Sequence, residues 1–290
     1  MPAPDDSEAP PMANSHFQDY AAIYEKFAGS TSSKLAAAAL TRLPLSKYTA
    51  DSHILDSACG PGIVTKLFLA PTPSYISTTA LPLSSAPRVT GIDVAAGMVS
   101  QYLKQMDAMG LSTATAFVHD AVDLSCFQDA EFDAVVMNLG IFTLSDPIHG
   151  AREMNRVLKP GGHIVVTTWK YARAQTLLQQ VVAAIRPEQQ NQALPVHSEW
   201  KSKEKIISVL KEGGFEEDRM EIWAEDVNWN AGSVDEIVEF LSAPLWTDRI
   251  WKDWSEDQKA RWKVEIVKQM SEEEKATASI KMVGWLVWFN

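Results

Sequence analysis

Between residues 51 and 170 the chain alternates two rhythms of apolar and polar positions. Short apolar runs read as strands over 53–58, 89–93, 114–119, 132–137 and 163–168. Segments with apolar residues every three or four positions read as helices beginning at 62 and spanning 96–109 and 147–158. Asp146-Pro147 supplies an N-cap and a preset first helical position, and Lys159-Pro160-Gly161-Gly162 stops that helix and turns the chain into the next strand. Alternation of strands with helices of this length predicts an α/β protein with parallel pairing, right-handed crossovers and a doubly wound sheet. Ligands bind such sheets at the carboxyl edge.

The flanks carry other patterns. Phe17 to Leu40 reads as a helix in which Tyr20, Ile23, Tyr24 and Phe27, spaced i, i+3, i+4 and i+7, form one apolar stripe. Ala70 to Arg88, rich in Pro, Ser and Thr, reads as a surface insertion before the second strand. Beyond Trp169, Lys203 to Leu210 reads as a helix stopped by Gly213-Gly214, and Met220 to Val227 as a sixth strand. Ser233 with Glu236, and Ser255 with Gln258, are capping-box signals for two further helices, the first with an amphipathic stripe of Val234, Ile237, Val238 and Leu241.

Candidate chemistry gathers where strands end. Ile54-Leu55-Asp56 is followed by Ser57-Ala58-Cys59-Gly60-Pro61-Gly62, a small-residue turn that opens a helix. Such a turn lets backbone approach a nucleoside-bearing ligand, and Gly60 and Gly62 tolerate positive φ. Val89-Thr90-Gly91-Ile92-Asp93 is a second strand ending in an acid, and the helix after it carries Met98 and Tyr102. A carboxylate there can accept both ribose hydroxyls of an adenosine. Ala116-Phe117-Val118-His119 leads into Asp120-Ala121, which puts a third acid on the same edge. The glycine turn alone also fits an ordinary strand-to-helix connection or a nicotinamide-binding domain. Against the latter, Asp56 precedes the loop, Thr65 stands where the third glycine of that fingerprint belongs, and the next strand-end acid comes only at Asp93.

Asp56 to Gly62, Asp93, Met98, Asp120-Ala121, Phe132-Asp133 and Leu158-Lys159-Pro160-Gly161-Gly162, in that order, resemble the class I S-adenosylmethionine-dependent methyltransferases. The version resembled is that of ubiquinone and menaquinone biosynthesis and of fungal small-molecule secondary metabolism, and the likeness covers about residues 20 to 225. The resemblance implies a seven-stranded, mostly parallel, Rossmann-like sheet, with Ala276 to Phe289 returning as an antiparallel last strand. It implies S-adenosyl-L-methionine as cofactor, with S-adenosyl-L-homocysteine as product. Asp56, Ala58 and Gly60, with Gly62 in the same turn, would hold its methionine end, Asp93 the ribose and Met98 the adenine face. Asp120 would meet the exocyclic amine, the Ala121 amide a ring nitrogen, and Asn138 would lie beside the sulfonium. The family has glycine where this chain has Ala58, so a positive φ there would be strained. The Phe17 to Leu40 helix would close over the cofactor, bringing Tyr24 to it and Tyr20 to the mouth of the acceptor site.

These readings divide the chain into a disordered tail over 1–15 and a single domain over 16–290. Within it, 16–50 form a helical lid, 51–170 the cofactor-binding core, and 171–290 an acceptor-side half with a helical cap insertion at about 233–272. The insertion carries Trp246, Trp251, Trp254 and Trp262, four of the ten tryptophans. Tryptophans on helices covering a sheet pack the core or wall a flat acceptor, and Trp246 and Trp254 are the candidates for the second role. A general base helps a phenol or alcohol acceptor, whereas for a thiol or amine near its own pKa solvent can serve. His197 is the candidate, since it falls where the resembled enzymes build the acceptor side. His53 and His163 begin strands and read as packing; His119 adjoins Asp120, His149 opens a helix, and His16 lies near the tail.

Composition removes other classes. The chain has 37 acidic against 26 basic residues, a formal charge of −11, which opposes binding to a phosphate backbone. Asn138-Leu139-Gly140-Ile141 lacks the Pro-Pro-aromatic grip of enzymes that methylate flipped bases, so no nucleic-acid partner is expected. Two cysteines cannot build a disulfide framework, and no cluster has metal-ligand spacing. No apolar window is long enough for a membrane span, and the N-terminal segment lacks signal-peptide character, so a cytoplasmic location is expected. The expected function is methyl transfer to an oxygen, nitrogen or sulfur of a small, aromatic or heterocyclic metabolite. A non-methylating cyclase on the same fold and a regulatory protein with a methyltransferase-like pocket are the alternatives. The acceptor atom, the pathway and the oligomeric state stay open at this level.

Overall fold

The computed structural model describes residues 21–189 and 198–290, with side chains over 30–189 and 198–290. Five strands, β1 (His53–Ser57), β2 (Arg88–Asp93), β3 (Ala114–Val118), β4 (Phe132–Asn138) and β5 (Leu158–Ala172), pair in parallel in the order β3-β2-β1-β4-β5. Two more strands, β6 (Met220–Asp226) and β9 (Met282–Phe289), complete a seven-stranded sheet, with β9 antiparallel between β5 and β6. All five positions of β1 are buried, as expected for a central strand covered on both faces.

Helices α1 (Ala21–Leu40), α2 (Ile63–Leu69) and α3 (Ala96–Ala108) pack on one another, and α4 (Pro147–Val157) packs on α6 (Lys203–Glu212). The chain moves outward from β1 to β3 and in the opposite direction from β4 to β5. Right-handed crossovers therefore put α2 and α3 on one face and α4 on the other. The fold is the doubly wound α/β sheet predicted from the alternation of strands and helices. No helix joins β3 to β4. Residues 119–131 are instead held by Arg156, which donates to the Leu124 and Phe127 carbonyls and to Asp129 and Glu153, while Glu153 accepts the Leu124 amide at 2.9 Å.

Several boundaries depart from the sequence reading. Lys159-Pro160-Gly161-Gly162 does not precede the fifth strand but bulges from within it: Leu158 already pairs with Phe132, and pairing resumes at His163 opposite Ala134. The last strand begins at Met282 rather than at Ala276. Ser271 and Glu274 form a reciprocal capping box that starts another helix, and Ala278 ends it at φ 48°. Ser255 and Gln258 form the expected box, whereas Glu236 reaches Gly232 N instead of the Ser233 amide. In α1 the side chains of Ile23, Tyr24 and Phe27, and Phe17 and Tyr20 altogether, lie outside the described residues. Its second half buries Leu35, Ala36, Ala39 and Leu40.

Because β6 runs parallel to β5, the segment between β6 and β9 leaves and re-enters the sheet at its carboxyl edge. A two-residue ribbon, β7 (Trp229–Asn230) against β8 (Ser279–Ile280), closes the base of this excursion. Above it stand α7 (Val234–Leu241), α8 (Pro244–Ile250), α9 (Glu256–Gln269) and α10 (Glu272–Thr277). This cap is fastened to α5 (Arg173–Ile185), on which α9 packs, and to the turn after it. Arg173 makes a two-pronged ion pair with Glu274 and donates to Gln269 O, Arg186 donates to Asp253 O, and Trp254 Nε1 donates to Gln189 at 2.8 Å.

Gly213-Gly214 stops α6 as predicted, but the two glycines do different work. Gly214 takes the left-handed turn at φ 96°, whereas a Cβ on Gly213 would lie 2.8 Å from the Ala151 carbonyl carbon in the α4 backbone. Gly213→Ala is expected to push α6 away from α4 and cost about 1–3 kcal/mol. Thermal unfolding of the single variant checks this.

Candidate functional site

Four strand ends meet at the carboxyl edge. After β1 the chain enters a turn pinned to its neighbour: Cys59 N–H donates to Ile92 O at 2.8 Å, and Gly60 N–H to Asp93 Oδ2 at 2.9 Å. Ala58 has φ 53° and Gly60 φ 51°, so the strain anticipated at the alanine is present, at about 1–2 kcal/mol. On the outer side of the turn a Cβ built on Gly60 would meet nothing within 4 Å. The glycine there leaves a backbone cradle open to a ligand.

Asp93 is mostly buried and accepts one backbone amide on each oxygen, from Gly60 and, at 2.9 Å, from Ala95. Burial raises its pKa, and the two amides oppose the rise. A carboxylate has about four lone-pair sites. Two therefore remain for a vicinal diol. Asp120 follows β3 in an exposed turn and accepts the Val122 amide at 2.9 Å, with Ala121 buried beside it. Met98 is buried on α3. Asn138 closes β4, its Oδ1 accepting Thr167 Oγ1 at 2.7 Å, while Leu139 N–H donates to the same threonine and takes φ 59°. The structure thus brings Ala58, Gly60, Gly62, Asp93, Asp120, Ala121 and Asn138 to one edge, as the sequence order predicts.

Asp56 behaves differently from the other acids. It is 1% exposed, and its Oδ2 accepts both the amide and the hydroxyl of Thr65, at 3.2 and 2.7 Å. Burial pushes its pKa up to about 7, with Asp93 adding to the rise and the Thr65 bonds opposing it. The sequence reading assigned Asp56 to the ligand and did not anticipate that Thr65 would hold it. A hydroxyl nine residues downstream, in the first turn of α2, is the signal that could have been used.

Neither strand-initiating histidine faces this edge. His53 opens β1 and His163 follows the bulge in β5 beside it, bonded to Thr90 Oγ1 and to the Tyr48 hydroxyl, and burial lowers both pKa values. His197 and Tyr20 lie outside the described residues. Trp254 is 6% exposed, packs edge-on against the fully buried Trp262 and bonds Gln189, which makes it part of the interior of the cap rather than an open wall. Trp251 also packs on Trp262, and Trp246, only half-buried, meets Phe240 edge-on. Among the described residues no His, Cys, Asp and Glu group is arranged to hold a metal, and no helix is long and apolar enough to cross a membrane.

The family signature described as "Methyltransferase domain" matches residues 55–166. The ubiquinone/menaquinone biosynthesis C-methyltransferase UbiE of Geotalea daltonii is 32% identical over 127 residues, 44% of this chain and 49% of that protein. The chain thus spans about half the length of this curated relative. The [4+2]-cyclase SpnF superposes with a TM-score of 0.52 at 20% identity, over 89% of this chain and 80% of that one. A Haemonchus contortus phosphoethanolamine N-methyltransferase in complex with S-adenosylhomocysteine superposes with a TM-score of 0.51 at 16% identity, over 98% of this chain and 61% of that one. Residues 55–166 match a methyltransferase domain, and the sheet order around them is that of the class I S-adenosylmethionine-dependent methyltransferase fold.

Proposed function

We propose that the protein transfers a methyl group from S-adenosyl-L-methionine to a small acceptor, an aromatic or heterocyclic metabolite. The observation that carries this reading is the pairing of an open backbone cradle at Gly60 with a strand-end carboxylate, Asp93, that retains two acceptor sites. Asp93 would take the ribose diol. Asp120 and the Ala121 amide would read the adenine edge beside Met98, and Asp56, Ala58, Gly60 and Gly62 would receive the amino-acid end. Bound there, the cofactor supplies an activated methyl on a cationic sulfur, so the chain's own task is to orient the acceptor and exclude water.

The cap supplies that second half. It rises from the same edge as the cofactor turn and is tied down by Arg173, Arg186 and Trp254. Its aromatic interior gives a rigid roof with few side-chain rotors to order. Trp246 is the indole in it that we assign to the acceptor wall. Oxygen, nitrogen and sulfur are the acceptor atoms, and carbon joins them because the curated relative is named a C-methyltransferase. His197 stays the proposed base for a hydroxyl acceptor. The cyclase reading rests only on likeness of fold to a protein of that name.

Calorimetric titration with S-adenosyl-L-homocysteine tests the reading. Wild-type protein is expected to bind in the micromolar range and Asp93→Ala at least about tenfold more weakly, the 1.4 kcal/mol expected for a lost bidentate contact. Absence of binding by the wild type at millimolar ligand overturns it.

Asp56 yields a prediction about pH. Its folded pKa of about 7 lies above the carboxylate's ordinary value of 3.8, so the folded state holds the extra proton between those values. Stability from this group therefore falls as pH rises from 4 to 7, and the cost is complete above 7. Asp56→Asn is expected to match the wild type near pH 4 and to exceed it in denaturant midpoint at pH 8, while binding the cationic amino group of the cofactor more weakly. Urea melts at both pH values check the first half, and calorimetry the second.

A further inference from the structure

Tyr102, on α3, is fully buried. Its ring fills a slot between two positions that lack side chains: a Cβ on Gly62 would lie 2.8 Å from its Cδ2, and one on Gly91 2.9 Å from its Cε2. From this slot its hydroxyl reaches Thr65 Oγ1 at 3.0 Å, and Thr65 Oγ1 reaches Asp56 Oδ2 at 2.7 Å. Three elements, α3, α2 and β1, are thereby joined by one chain of hydrogen bonds beneath the cofactor turn.

The direction of that chain follows from counting donors. An ionised carboxylate only accepts, so Thr65 must give its single hydroxyl hydrogen to Asp56. Thr65 Oγ1 is then an acceptor toward Tyr102, whose hydroxyl donates. The Thr65 amide donates to the same carboxylate oxygen. Both bonds fall on Oδ2, which leaves Oδ1 as the oxygen able to take a donor from a ligand. A proton on Asp56 allows the whole chain to run backwards, from Asp56 through Thr65 to Tyr102.

We propose that Tyr102 is a positioning residue for cofactor binding: by donating to Thr65 it commits the threonine hydrogen to Asp56 Oδ2 and so fixes the carboxylate that receives the cofactor's amino group. This rests on the cofactor reading given above. Both bare positions make room for the tyrosine ring that reaches Thr65. The titratable groups that face Asp56 are Asp93 from β2, which raises its pKa, and the Cys59 thiol from the turn and Tyr102 from α3, whose own pKa values Asp56 raises. Burial and Asp93 work against the charged carboxylate, and the Thr65 bonds work for it. A donor behind Thr65 polarises its hydroxyl and strengthens that support.

Carboxyl carbon NMR on ligand-free protein labelled in aspartate tests the proposal, with Asp56→Asn identifying the Asp56 signal. Tyr102→Phe keeps the ring in its slot and removes the donor. The Asp56 titration is expected to move upward by about half a pH unit or more, a threefold change in its proton equilibrium. Thr65→Val should move it further, and Thr65→Ser, which keeps the hydroxyl, should return it close to the wild type. At pH 7 Tyr102→Phe should bind S-adenosyl-L-homocysteine about twofold more weakly, because the ionised fraction of Asp56 halves, with the difference vanishing at pH 9. A purely structural tyrosine would lower the melting temperature and leave the titration where it was. An unshifted Asp56 titration in Tyr102→Phe overturns the proposal. Because this readout needs no ligand, failure of the wild type to bind the cofactor product overturns the cofactor reading separately.

Discussion

Two carboxylates, Asp56 and Asp93, share one turn, and the bonds that hold them there come from neutral donors. Gly60 and Ala95 give backbone amides to Asp93, and Thr65 gives an amide and a hydroxyl to Asp56. Burial works against the charge on both. Negative charge kept out of water without a full counter-charge is costly, and a ligand bearing an amine and a sulfonium would supply what the protein withholds. The parallel order β2-β1-β4 matters because it brings these two strand ends side by side. The glycines at 62 and 91 matter because they admit the tyrosine that backs Thr65.

The same economy explains the alanine at position 58. A left-handed backbone there is strained for any residue with a Cβ, yet the turn keeps it. Its Cβ covers Gly140, where an added Cβ would come within 2.7 Å of it, so the first and fourth strand ends are packed together by a methyl group against a bare backbone. Strain in the turn is thus offset by contact between the two loops that frame the proposed methyl-donor position.

The cap over the carboxyl edge is built on a different principle. Aromatic rings in the cap pack edge to face around Trp262, and arginines stitch the cap's backbone to α5 and to the turn after it. Partly buried Arg173 and Glu274 satisfy each other through two bonds, a geometry that suits an ion pair with restricted water access. The cap is therefore joined to the core by directional contacts at its rim and by apolar packing at its centre.

Local rules carried the reading far where they were sufficient. The alternation of apolar runs with helical periodicity predicted the parallel core, Asp146-Pro147 and Ser255 with Gln258 marked helix starts that are observed, and the spacing of acids predicted one shared edge. They were insufficient where long-range pairing overrides a local signal. Lys159 to Gly162 looks like a turn in sequence and is a bulge in the structure, because Leu158 already has Phe132 as a pairing partner. Trp254 looks like a wall and is interior, because Trp262 and Gln189 close over it. Sequence by itself determined which residue types reach the carboxyl edge, since strand and helix periods are properties of neighbouring positions. Only the tertiary structure decided which of the acids keeps oxygens for a ligand and which is held from behind by Thr65 and Tyr102, since a hydrogen bond across three elements depends on how they pack.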